Sequence, residues 1–183
     1  MDVDGKLLKA SIKLVGAMDK VADKNLPKEI ADVVKLHSKL ALGSAWIPVP
    51  GADMAAGAAS IWGMYVRINS KLGIPFGENV MKSIGSGVAT NLASYVAMST
   101  VASALKFIPG IGTLTGTALS ALMSASLYGL TMASGWVYLN ALCALAEKKG
   151  NNFSVSDISS AVNSMLKDKS AIKEFIDSAK KSY

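Results

Sequence analysis

The chain has 183 residues, enough for one domain with a sizeable core, and it is 51% hydrophobic and 17% charged with a mean hydropathy of +0.36, where an ordinary soluble domain carries about 25% charged residues. Its net charge of +6 comes from lysine almost alone, Arg67 being the sole arginine, and no Arg-rich face with interleaved aromatics occurs, which excludes nucleic-acid reading. Cys143 and His37 are each the only residue of their kind, so an intramolecular disulfide, a His-based metal cluster and a catalytic pair of histidines are excluded as well.

The opening residues Met1-Asp2-Val3-Asp4-Gly5 are acidic where a secretory signal is basic and then apolar, which predicts no signal peptide and a cytosolic start. Residues 5–42 read as two amphipathic helices. In the first, Leu8, Ile12, Val15, Met18 and Ala22 recur at steps of three and four while Lys6, Lys9, Lys13, Lys20 and Lys24 fill other faces. Asn25-Leu26-Pro27 ends it and opens the next, because proline is accepted in a first helical turn and not in an interior. Ile30, Val33, Val34 and Leu40 give the second helix its stripe, and His37 on it is expected at the surface or at an interface.

Residues 43–149 form an apolar centre punctuated by proline. Ile47-Pro48-Val49-Pro50-Gly51 reads as a turn, followed by a helix from about Asp53 to Leu72 closed by Gly73. Asp53 is the sole acid between Lys39 and Glu78, and its position suits an N-cap for that helix; an ion or proton site inside an apolar bundle is the alternative. Ile74-Pro75-Phe76-Gly77 is a second break. A helix over about Glu78 to Leu105 follows, then a turn at Phe107-Ile108-Pro109-Gly110-Ile111-Gly112, then a last central helix over about Thr113 to Lys149. The two turns share Ile-Pro-x-x-Gly and each precedes a small-residue-rich helix, which reads as a duplicated turn-helix unit with Pro48, Pro50, Pro109, Gly110 and Gly112 as its turn residues.

Between Ser83 and Ala146 the only charged side chain is Lys106. A surface helix does not go so long without a charged face, so this stretch is buried in protein, in lipid, or in each by turns. Small residues recur every fourth position along it, Gly85, Ala89 and Ala93 on one helix and Ala121, Ala125 and Gly129 on the next. Such grooves let helix backbones approach closely, in a bilayer or in a tightly packed soluble bundle. As membrane spans both helices are imperfect: the first is rich in Ser, Thr and Gly, and the second, at about 1.5 Å per residue, is longer than a bilayer needs. Lys106 at the hairpin tip and Arg67 are the candidates for lipid contact.

Residues 150–183 return to amphipathic character. Ser154-Val155-Ser156-Asp157 is a capping box after the Gly150-Asn151-Asn152 break, with Ile158, Ala161, Val162, Met165 and Leu166 behind it, and Ser170 is expected to cap a short final helix carrying Ile172, Phe175, Ile176 and Ala179. The expected fold is therefore one all-α domain over 1–183, a helical bundle with a central apolar, small-residue-rich hairpin flanked by amphipathic terminal helices.

Over about residues 42–146, Ile47-Pro48-Val49-Pro50-Gly51-Ala52-Asp53-Met54-Ala55, Met64-Tyr65-Val66-Arg67-Ile68 and Phe107-Ile108-Pro109-Gly110-Ile111-Gly112 together resemble a bacterial helical family of unknown function, found behind P-loop GTPase domains and in inner-membrane proteins of the YcjF type. The resemblance implies membrane association, at the cytoplasmic face or in the inner membrane, and a GTPase partner encoded elsewhere, for this chain has no Gly-x-x-x-x-Gly-Lys-Ser/Thr of its own. It implies no chemistry and no cofactor. Cys143 has no local base and the serine-rich stretches no elbow motif, so the chain reads as non-enzymatic. Two classes stay open: a membrane-associated, homo-oligomeric helical protein, with colicin-like pore formation as one branch, and a soluble helical scaffold that docks a partner.

Overall fold

The computed structural model describes residues 3–44, 52–74, 77–105, 116–150 and 152–182. The chain is an all-α bundle: among the described residues there are seven helices and no strand, namely α1 (Val3–Asn25), α2 (Lys28–Ser44), α3 (Ala52–Leu72), α4 (Glu78–Leu105), α5 (Gly116–Lys149), α6 (Val155–Asp168) and α7 (Ser170–Lys181). The proline turns expected around Pro48, Pro50, Pro109, Gly110 and Gly112, and Lys106 with them, lie outside the described residues.

Packing follows from α5, which touches each of the other six helices. It is apolar on every side, and a helix of that kind is stable only where every side is covered. Its neighbours alternate in direction. Leu8 to Val15 of α1 share a groove with Ala121 to Ala125 while Met18 approaches Gly129, and Tyr65 of α3 reaches the Ser134 carbonyl while Asn69 reaches Tyr138, so α1 and α3 run with α5. Val34 of α2 meets Gly135, and Val96 of α4 meets Gly129 while Met81 meets Tyr138, so α2 and α4 run against it. The α1–α2, α3–α4 and α5–α6 turns therefore gather at one end of the bundle. The start of α1, the end of α2 and the start of α5 form the other.

Close approach is concentrated at glycines. A Cβ on Gly85 would lie 3.2 Å from backbone atoms of Trp62, a close approach of α4 to α3. On Gly129 it would lie 3.1 Å from Val96 Cγ1 and 3.3 Å from Met18 Sδ, and on Gly135 3.1 Å from both methyls of Val34 and 3.2 Å from Met64 Sδ, so two glycines on α5 admit four neighbours' side chains. Ala89, Ala121 and Ala125 are buried in the same contacts and Ala93 half-buried, whereas Ala55 and Ala59 on α3 are exposed.

The charge gap has two origins. Burial accounts for α5. On α4 the outward face carries Ser83, Ser86, Thr90, Asn91 and Ser94, uncharged polar groups that hydrate without charge; Thr90 donates to the Ser86 carbonyl (2.9 Å) and Asn91 to that of Gly87 (2.8 Å).

At the C-terminal end the capping box forms. Asp157 N–H donates to Ser154 Oγ at 3.3 Å and Ser154 N–H to Asp157 Oδ2 at 2.8 Å. The expected cap at Ser170 is displaced by one residue: Lys169, at φ 57°, ends α6 and precedes α7, and Ser170 is the first residue inside α7, its hydroxyl donating to Asp168 Oδ2 at 2.6 Å. Asp53 is likewise the second residue of α3, not the residue before it.

Candidate functional site

The stripe expected on α1 is only partly the face that packs: Met18 and Ala22 are buried and Val15 half-buried, while Leu8 and Ile12 turn outward. Ala10, Leu14, Ala17, Met18, Val21 and Ala22 are buried against α5, and Leu8 and Ile12 are left 44% and 63% exposed. The face turned inward sets small Ala10 and Ala17 among bulky Leu14, Met18 and Val21, so it combines close approach with apolar area. On α2, similarly, Ile30, Ala31, Val33, Val34 and Ala41 are buried and Leu36 and Leu40 face outward.

Leu8, Ile12 and Leu40 share one end of the bundle with Leu119 and Met123, also exposed, at the start of α5. Between α1, α2 and α5 at that end an open groove of about 190 Å³ is lined by Leu8, Ile12, Val15, Leu42, Ala121 and Ala125, with Ser11 and Ser124 in its walls. The described charged side chains nearby, Lys6, Lys9, Lys13 and Lys39, are all cationic and exposed.

The opposite end has mixed charges that bind one another. Lys35 pairs with Asp23, which holds its ammonium pKa above the ordinary value; Lys71 lies 3.7 Å from Glu29, and Lys149 lies 2.7 Å from Asp157. Asp157, bonded first by Lys149 and then by Ser154, is held down at about 2.

Two polar groups sit deeper. His37 is 5% exposed at the α2–α3 contact, where its Cε1 would lie 3.0 Å from a Cβ on Gly63, and neither ring nitrogen has a hydrogen-bond partner. Burial lowers its pKa first and the Arg67 charge next; the Ser60 backbone opposes them weakly, without the alignment of a hydrogen bond. A histidine expected at a surface or an interface is thus a buried interface residue held neutral, and Arg67, a candidate for lipid contact, is exposed beside it. Tyr65 stacks on Tyr138 with ring centroids 4.0 Å apart, and Tyr138 donates to Asn69 Oδ1 at 2.6 Å; desolvation raises both phenol pKa values, so these rings stay neutral and tie α3 to α5.

Of the residues singled out from sequence, Gly85, Ala89, Ala121, Ala125 and Gly129 sit in helix contacts, and Ala121 and Ala125 also floor the groove. Leu8, Ile12, Ser11 and Ser124 escaped notice as a group because their proximity depends on three helices distant in sequence. Among the described residues no group of three or more His, Cys, Asp and Glu could hold a metal ion. Compared with protein-family models, curated proteins and solved structures, the chain matches none.

Proposed function

We propose that the chain is a non-enzymatic, membrane-associated helical bundle that docks on an anionic lipid surface by the end where α1 and α5 begin. One observation carries this reading: exposed Leu8, Ile12, Leu40, Leu119 and Met123 gather at that end with Lys6, Lys9 and Lys39, while at the other end Lys35, Lys71 and Lys149 lie against Asp23, Glu29 and Asp157. Apolar side chains among lysines suit the headgroup boundary, where each buried CH₂ contributes about 0.8 kcal/mol and each lysine near an anionic surface about 1 kcal/mol. α5 is long and apolar enough to cross a bilayer, but about two-thirds of its apolar window is already inside the bundle, which favours surface docking over spanning.

The test is co-sedimentation with phosphatidylcholine vesicles, with and without phosphatidylglycerol. Binding is expected only with phosphatidylglycerol, and Ile12→Asp should abolish it while Leu72→Asp, at the opposite end, should not. A monomer that ignores both kinds of vesicle would refute docking and favour the second reading, a soluble scaffold, for which the exposed pair Leu36 and Leu40, one turn apart on α2, offers a surface to a partner helix or a second copy. A separate GTPase as that partner rests on the resemblance of the proline-turn segments alone.

A further inference from the structure

Ser11 and Ser124 stand in the walls of the groove between α1, α2 and α5, 4% and 5% exposed, and neither hydroxyl has a hydrogen-bond partner. Buried hydroxyls are normally paired. The rest of the lining is aliphatic, so the groove offers donors without an acceptor inside an apolar trough. A ligand that answers both features has an aliphatic body and an uncharged acceptor oxygen.

Size narrows it. An apolar cavity of about 150 Å³ takes a benzene ring; about 190 Å³, open on one side, is room for a run of a single acyl chain. Charge narrows it further, since no charged side chain lines the groove. A free fatty acid would bring its carboxylate to the serines with no counter-charge there, which is costly. A phospholipid brings a neutral ester and keeps its phosphate outside.

We propose that this groove holds one acyl chain of an anionic glycerophospholipid, its ester carbonyl accepting from the Ser11 and Ser124 hydroxyls and its phosphate left outside among the exposed lysines of that end of the bundle. Leu8 and Ile12 form the lip over which the chain enters. The bilayer as the source of that lipid rests on the docking reading above; the groove's preference for an ester-bearing chain does not.

The experiment is a titration of the full chain with dihexanoyl phosphatidylglycerol below its micelle concentration, read by native mass spectrometry and amide chemical shifts. One lipid per chain is expected, with shifts at residues 8–15 and 121–125. Ser11→Leu fills the groove and should weaken binding about tenfold or more, the loss expected when a few methylenes are kept from apolar contact. Should that variant fold poorly by circular dichroism, Ser11→Ala/Ser124→Ala keeps the space and removes the donors, and several-fold weaker binding is expected. No binding, equal binding by wild type and both variants, or preferential binding of palmitate would each overturn the proposal. Vesicle sedimentation without short-chain binding would sink the groove and leave docking intact; short-chain binding without sedimentation would keep the groove's chemistry and sink the bilayer as its source.

Discussion

Gly85 and Gly87 lie two residues apart on α4, and the same substitution at each should act in opposite directions. A Cβ on Gly85 meets the N, Cα and Cβ of Trp62, each at 3.2 Å, and the backbone of α3 cannot turn aside as a flexible side chain would; a Cβ on Gly87 meets nothing within 4 Å. Alanine in place of glycine in a helix interior stabilises by about 1 kcal/mol. Gly87→Ala should show that gain nearly whole. Gly85→Ala gains the same amount and then incurs about 1–3 kcal/mol of overpacking as α3 and α4 are pushed apart, for a net change between zero and about 2 kcal/mol destabilising. The two variants should therefore differ by about 1–3 kcal/mol. At about 2–4 °C per kcal/mol for a chain of this length, that is roughly 2–12 °C in Tm, resolved by thermal or urea unfolding followed by circular dichroism. Equal stabilisation of both variants would show that α3 and α4 are not in backbone contact at Trp62.

Gly129→Leu drives a side chain into Val96 and Met18 and should cost about 1–3 kcal/mol, against little for leucine at exposed Lys167, as measured by urea midpoints; equal tolerance would remove the interface. It should also lose assembly or membrane association before helix content, and an unchanged assembly state would count against any role of the α4–α5 pair in it. His37 has a folded-state pKa below 6.5, so as pH falls below 6.5 the unfolded chain takes up a proton before the folded one, and stability should fall at up to about 1.4 kcal/mol per pH unit until the lowered pKa is reached; His37→Leu should flatten the profile in that window, and an unchanged slope would contradict burial of a neutral imidazole. Ser154→Ala should cost about 1 kcal/mol by removing the cap of α6, and two-dimensional NMR should show the carboxyl pKa of Asp157 rising from about 2 toward its ordinary range.

Periodicity and proline made the helices legible, because an apolar step of three or four and a residue that cannot donate a backbone hydrogen bond act locally. The capping box at Ser154 was legible for the same reason. Which face of α1 would be buried was legible only in part. That choice depends on α5, a hundred residues on, against which Ala10 and Ala17 allow close approach while Leu8 and Ile12 turn outward. The uncharged stretch was ambiguous because one composition serves two ends: α5 lacks charge because six helices enclose it, and α4 because serine, threonine and asparagine hydrate its outer face. His37 and the two groove serines gave no signal in sequence, since an unpartnered polar atom is defined only by the helices around it.

The order of synthesis gives the central position of α5 a temporal consequence. It is the fifth helix made, yet α1 to α4 all pack on it. At about 5–20 residues per second a ribosome takes roughly 2–7 s to make its 34 residues, and throughout that interval the faces that α5 will cover stay bare, although α2, α3 and α4 can already pack on one another. A nascent chain in that state is a natural client for a holdase or for a nearby bilayer, and a truncation before Gly116 leaves it there permanently.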